Sequence, residues 1–485
     1  MENRYKGMTM ALCLALAVSG RSVSAQDVSL QDAIDIALAQ NTDLLITQKG
    51  EDTAASTLAT AKGQNGFKAS ASGDVLHSSK TEGSNRADSS SLGLSGSLPL
   101  YTGGANEAKI KSGEIGLESS RLTTERKRED LKLSVIKAYY NALEARKTID
   151  VDQESVDNYQ AHYTNVSQLY SAGSKARIDV LRSSVELSNA KQTLIKAQNA
   201  YEVDLSTLRN LLNMDRTVPL NLTTDFSYDK FDIGMDDAIA YAYRNRKDLK
   251  VAEYDMKQKE LAITSAKAGY QPELSLSVGT NVIDKDWHPS TDNKTGISAG
   301  VGLSWNLFDS GVTKAEVQEA KNQYDIAKLS LLKDKEDIDL SLRQSYYNMR
   351  EAEKRFTSTT DAVNQAEEDY YIAREKYRAG EGLMLDIIDA QLALSTARLN
   401  HISAQYDYAR YKAEVENEMG IGLNDSEKSA SGQLVTDAAR VIAASPLTKA
   451  QAAQPVAPAR ASASQDARRE SRQTVAELAG SGAAK

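Results

Sequence analysis

The chain has 485 residues, with seven prolines, five phenylalanines and 22 tyrosines, and 26% of it is charged. This is poor material for large globular cores and suits long helices packed through small, aliphatic and tyrosine side chains. The formal net charge of -9, with Lys and Arg interleaved among Asp and Glu, gives no sign of the clustered cations that a nucleic-acid partner needs.

Residues 1–25 read as an export signal peptide: Arg4 and Lys6, the apolar stretch Met8 to Val18, then the cleavage pattern Val23-Ser24-Ala25. The mature chain is then expected to begin at Gln26. Cys13 lies inside the signal and follows Leu12, where a lipoprotein signal wants a small residue, so no lipid anchor and no disulfide are expected. No later run reaches the about 18 apolar residues of a membrane-spanning helix. The chain is therefore either soluble after export or crosses a membrane as strands.

Two repeats follow, 26–225 and 226–423. Ala33-Ile34 and Asp43-Leu44 recur as Ala238-Ile239 and Asp248-Leu249. Further on, Leu100-Tyr101-Thr102-Gly103-Gly104 recurs as Leu307-Phe308-Asp309-Ser310-Gly311, and Tyr139-Tyr140-Asn141 as Tyr346-Tyr347-Asn348. Each repeat reads as two helices, a strand, a loop, a strand, a long helix, a turn and a helix.

Strands are expected at about 67–75 and 92–101, and again at about 274–282 and 297–308. Ile297, Ala299, Val301, Leu303, Trp305 and Leu307 alternate with Ser298, Gly300, Gly302, Ser304 and Asn306, and Leu92, Leu94, Leu98 and Leu100 do so among Ser and Gly. One apolar face, one small polar face, and Tyr101, Trp305 and Phe308 at the strand ends match a membrane barrel. A half-buried soluble sheet is the competing reading; the export signal and the lack of core material favour the barrel. Four strands cannot close one, since the smallest have about eight. Cyclic symmetry supplies the rest, and three copies give twelve.

In the long helices Leu131, Val135, Ala138, Ala142, Ala145 and Ile149 are spaced alternately four and three, a heptad seam interrupted at Asp152 and resumed at Val156. The second repeat carries a weaker version from Ile338 to Tyr377, with Ser345 and Thr359 in it. From Gly104 to Gly173, and from Gly311 to Gly380, the length corresponds to about 100 Å of helix. Gly173 and Gly380 read as left-handed caps where the chain turns back, with tips near 172–176 and 379–383. The returning helices should end near Asn213 and Gly420. Residues 424–485, rich in Ala, Ser, Gln and Pro, read as a disordered tail.

Three pairs of segments now carry a resemblance: "LQDAIDIALAQN" with "MDDAIAYAYRNR", "LPLYTGGA" with "WNLFDSGV", and "LYSAGSKARIDVLRSS" with "KYRAGEGLMLDIIDAQ". Over residues 28–423 the chain resembles the TolC-type outer-membrane efflux protein family. The resemblance implies an α+β membrane protein: a homotrimeric 12-stranded β-barrel in outer-membrane lipid, four strands per chain, continuous with a periplasmic coiled-coil tunnel. It implies a passive exit duct of a tripartite efflux pump or a type I secretion system. An inner-membrane transporter and a periplasmic adaptor protein would be its partners.

It also implies site residues. Ala172, Gly173, Ser174, Ala379, Gly380 and Glu381 would form the tips where an adaptor docks. Asp386 and Asp389, three residues apart on one helix face, match the family's cation-selective constriction, and acidic rings favour cations in a pore. Taken alone they read equally as first-turn acids suited to a helix dipole. Tyr377 and Asp179 match two members of the family's closed-tip network; Gly382 stands where the family has an arginine and Ile178 where it has a threonine, so Lys175 or Arg177 is expected to substitute.

Catalysis has little support. His77, His162, His288 and His401 have no companions at metal-ligand spacing, and there is no phosphate loop or dinucleotide fingerprint. No cofactor and no metal are expected, and energy for transport must come from a partner. The alternative from another class is an exported coiled-coil scaffold or adhesion stalk, which has no use for strands alternating toward aromatic ends.

Overall fold

The computed structural model describes residues 26–76, 89–285 and 294–422. The expected export signal, most of the loops joining the strand pairs, with His77 and His288, and the expected tail lie outside the described residues. Two short strands, β1 (Gln26–Val28) and β4 (Leu220–Leu222), pair in parallel and tie the start of the first repeat to its end. Tyr139 fixes this junction: its hydroxyl donates to the Val28 carbonyl at 3.0 Å and accepts from the Thr224 amide at 3.0 Å.

Helix α1 (Leu30–Gln40) begins at a capping box in which Ser29 Oγ accepts the Asp32 amide and Asp32 accepts the Ser29 amide. Helix α2 (Thr42–Gln64) leads to strands β2 (Lys68–Leu76) and β3 (Ser89–Tyr101). The long helix α3 (Ala105–Ser171) and the returning α4 (Arg177–Leu211) complete the first repeat. The second repeats the plan: α5 (Met235–Asn245), α6 (Lys247–Lys267), β5 (Glu273–Lys285), β6 (Lys294–Ser304), α7 (Val312–Ala379) and α8 (Met384–Glu418).

The heptad seams are buried where the sequence places them. Leu131, Val135, Ala138 and Ala142 on α3 pack with α1, α2 and α4, and Ile338, Leu342, Ser345, Met349 and Ala352 are buried on α7. Asp152 sits in the seam as well, and burial raises its carboxyl above the ordinary range.

Near the sheet the helices lie side by side in the order α2, α3, α6, α7; toward the tips the order is α4, α3, α8, α7. Thus α4 and α2 form one interrupted column, as do α8 and α6. The joints match in the two repeats. Asn41, the cap before α2, donates from its side chain to the Leu211 carbonyl at the end of α4, and Arg246, the cap before α6, donates to the Glu418 carbonyl at the end of α8. Both caps have φ -62° and ψ 125°.

The four barrel-like strands form one antiparallel sheet in the order β2, β3, β5, β6, with β2 and β6 as edges. Its register puts Leu92, Leu94, Leu98, Leu274, Leu276, Val278, Ile297, Val301 and Leu303 on one face. The other face is mostly Ser and Gly, with Lys68, Asp74, Asn281, Ile283 and Lys294 among them. The apolar face is open: Ile297 is 83% exposed and Leu303 69%.

Two details correct the expected strands. β6 ends at Ser304, not at 308: Trp305 Nε1 donates to the Tyr270 carbonyl, and Asp309 accepts the Gly311 and Thr313 amides, bending the chain into α7. In β3 a bulge at Pro99, which has no amide hydrogen for the ladder, makes Tyr101 rather than Leu100 the partner of Leu274.

Candidate gate and constriction

Both tips are built by the same hydrogen bonds. At the first, the Gly173 amide donates to Tyr170 O and the Ser174 amide to Leu169 O; at the second, Gly380 donates to Tyr377 O and Glu381 to Lys376 O. This pattern needs a left-handed residue after the last turn, and Gly173 (φ 77°) and Gly380 (φ 81°) supply it without a Cβ penalty. Ala172, Gly173, Ser174, Ala379, Gly380 and Glu381 are all exposed.

Asp386 and Asp389 stand in the first two turns of α8, both exposed, opposite a buried face of Met384, Ile387, Ala390 and Gln391. Asp386 accepts the Leu383 amide at 2.9 Å, which anchors the start of α8. The two carboxylates thus project from one side of a fixed helix.

Between the tips Tyr377 is the central group. It is 7% exposed and packs with Val166, Ala373, Met384 and Ile387. The Lys175 Nζ lies 4.6 Å from its ring centre, a cation–π contact joining the first turn to the second hairpin. On another side the His162 ring meets it edge-on at 5.6 Å, while His162 Nε2 is 2.6 Å from Met384 Sδ. The Tyr377 hydroxyl is buried and has no hydrogen-bond partner among the described residues. A cavity of about 370 Å³ adjoins, walled by Asn158, His162, Arg374, Tyr377, Arg378 and Gln391 among others.

Of the expected network, then, Tyr377 and Lys175 come together. Arg177 and Asp179 form no ion pair among the described residues. Gly382 is held by a bond from its amide to Lys376 O, and a Cβ there would lie 2.9 Å from the Tyr377 amide nitrogen, so this turn has no room for an arginine at that position. His162 was missed by sequence reasoning because it was weighed only as a metal ligand. Its place on α3, three residues after Tyr159 and four before Val166 and so on their side of the helix, was the available signal.

The model of the outer membrane efflux protein family matches residues 33–214 and 238–420, one match per repeat. The chain belongs to the outer membrane efflux protein family. Within this efflux family it is similar to toxin and drug export protein A of Aggregatibacter actinomycetemcomitans, 24% identical over 81% of this chain and 86% of that protein. The fold is shared with the CmeC outer membrane channel of Campylobacter jejuni: TM-score 0.72 at 18% identity, covering 83% of this chain and 89% of that one. It is shared equally with the open state of the Neisseria gonorrhoeae MtrE outer membrane channel, with TM-score 0.70 at 20% identity over 81% and 89%. The efflux-protein fold is α+β, as the resemblance implies, and its members are proteins of the outer membrane.

Proposed function

We infer that the chain is the outer-membrane exit duct of a tripartite efflux pump or a type I secretion system, passing cargo from an inner-membrane transporter and its periplasmic adaptor to the exterior. One observation carries the reading: a four-stranded sheet with one exposed apolar face, one Ser/Gly face and two unpaired edges crowns helices about 100 Å long. Open edges demand partners. Three copies supply a closed twelve-stranded barrel with its apolar face toward lipid. The edge helices support the same closure, since α4 exposes Ile178, Leu181, Val185, Ile195 and Val203, and α7 exposes Ile326, Leu329, Leu340 and Tyr347.

In this reading Asp386 and Asp389 form two acidic rings at the narrow end, Tyr377 and Lys175 hold the tips closed at rest, and the two Ala-Gly turns meet the adaptor. The chain supplies a path and no chemistry. A scaffold or stalk leaves the one-sided sheet unexplained. The deciding experiment places the purified protein in a planar bilayer and on a gel without boiling. A heat-sensitive trimer with cation-selective conductance is expected; a monomer without conductance overturns the reading.

A further inference from the structure

His162 and Tyr377 meet in the same buried cluster, on different hairpins. The imidazole edge abuts Met384 Sδ, a weak acceptor with little capacity to stabilise an added charge. The Lys175 ammonium, which sits over the same tyrosine, bears on the ring as a like charge.

We propose that His162 is a further gate residue: its neutral ring completes the packing that holds Tyr377 beneath Lys175, and its protonation frees the second hairpin from the first. This rests on the reading of the tips as a gate.

The surrounding groups leave an imidazolium uncompensated. From α3 the neighbours are Asn158, Tyr159 and Asn165; from α7 they are Tyr370, Arg374 and Arg378; from α8 they are Ile387 and Gln391. None of these is a carboxylate. Glu375 on α7 is paired with Arg374 and Arg378. On α8 Asp386 is tied to the Leu383 amide, and both it and Asp389 face solvent. In the first turn and α4, Lys175 and Arg177 add positive charge, Asp179 is half-buried without an ion pair among the described residues, and Glu186 acts on Tyr159 rather than on the His162 ring. The adjoining cavity of about 370 Å³ gives water, and with it protons, access to the ring.

Geometry fixes the sign. Burial, and then the Lys175 charge, lower the His162 pKa from its ordinary 6.5. The closed tip therefore favours the neutral ring. Its stability is fully present above the ordinary pKa and is lost as pH falls from there through the lowered value.

The test is the resting conductance of the full-length protein in planar bilayers, read from about pH 7.5 down to about pH 5.5, across the ordinary histidine range. Wild type should rise severalfold on acidification, and His162→Gln should lose the rise. Should the loss of packing hold His162→Gln open at every pH, His162→Phe, which keeps a ring, should be closed and flat. The same acid rise in both variants, or no rise in wild type, overturns the inference while leaving the duct intact. Absence of any conductance at any pH overturns the duct reading and this inference with it.

Discussion

Asn41 Nδ2 donates to the Leu211 carbonyl at 3.0 Å, and by this bond the end of α4 is joined to the start of α2. The same side chain caps α2, since its Oδ1 accepts the Leu44 amide. One residue thus satisfies an orphan acceptor of one helix and an orphan donor of the next. Replacing it with alanine should lower stability by about 1–2 kcal/mol. Thermal melting of the assembled protein checks this, and an unchanged midpoint rejects the joint.

The matching joint of the second repeat is charged. Arg246 binds the Glu418 carboxylate and carbonyl and pairs with Asp248 at 2.6 Å. Burial opposes the Asp248 charge, but hydrogen bonds and attraction from Arg246 outweigh it and hold the carboxyl below its ordinary 3.8. The pair's stabilisation is therefore present above that value and lost as pH falls below it. Arg246→Ala should cost more than Asn41→Ala, about 2–4 kcal/mol, and should flatten the acid limb of an unfolding profile.

At the tip, Tyr377 acts through its ring. Because the hydroxyl has no partner among the described residues, Tyr377→Phe should leave resting conductance unchanged, whereas Tyr377→Ala should raise it. Lys175→Ala removes a cation–π contact of about 0.5–1 kcal/mol per protomer and should also raise it. Arg177→Ala should not, as Arg177 has no ion pair among the described residues. Single-channel recording separates the four variants.

For the proposed acidic rings, Asp386→Asn with Asp389→Asn should weaken cation selectivity. Asp386→Asn alone should also loosen the start of α8, where the carboxylate accepts the Leu383 amide. Reversal potentials in a salt gradient give the answer. Selectivity equal to wild type in the double variant would place the filter elsewhere.

In the sheet, Gly96 sits beneath the Phe67 ring, and an added Cβ would fall 2.5 Å from it. Gly96→Val should displace Phe67 and reduce the yield of inserted trimer, while Gly93→Ala, on the Ser face, should be tolerated. Outer-membrane fractionation reads both.

The repeats, the helix lengths and the glycine turns were legible because each rests on local rules: heptad spacing, strand alternation, and a backbone conformation that glycine adopts freely. The sheet's faces were legible for the same reason, apart from the bulge at Pro99 and the early end of β6. The bulge follows from the missing amide hydrogen of Pro99, and the early end of β6 from a bond from Trp305 to Tyr270 and the turn at Asp309; alternation encodes neither. The short parallel pair β1–β4 was missed, as three-residue strands nearly 200 residues apart carry no periodic signal.

The sequence by itself determined the duplicated plan, the apolar and polar faces of the strands, and the positions of the two tips and the acidic pair, all of them properties of neighbouring residues. Only the tertiary structure decided which charges and rings meet: that Lys175 caps Tyr377, that Arg177 and Asp179 stand apart, that Gly382 leaves no room for an arginine, and that His162 packs against Tyr377 and Met384. Contacts between hairpins depend on how two long helices are aligned at their ends.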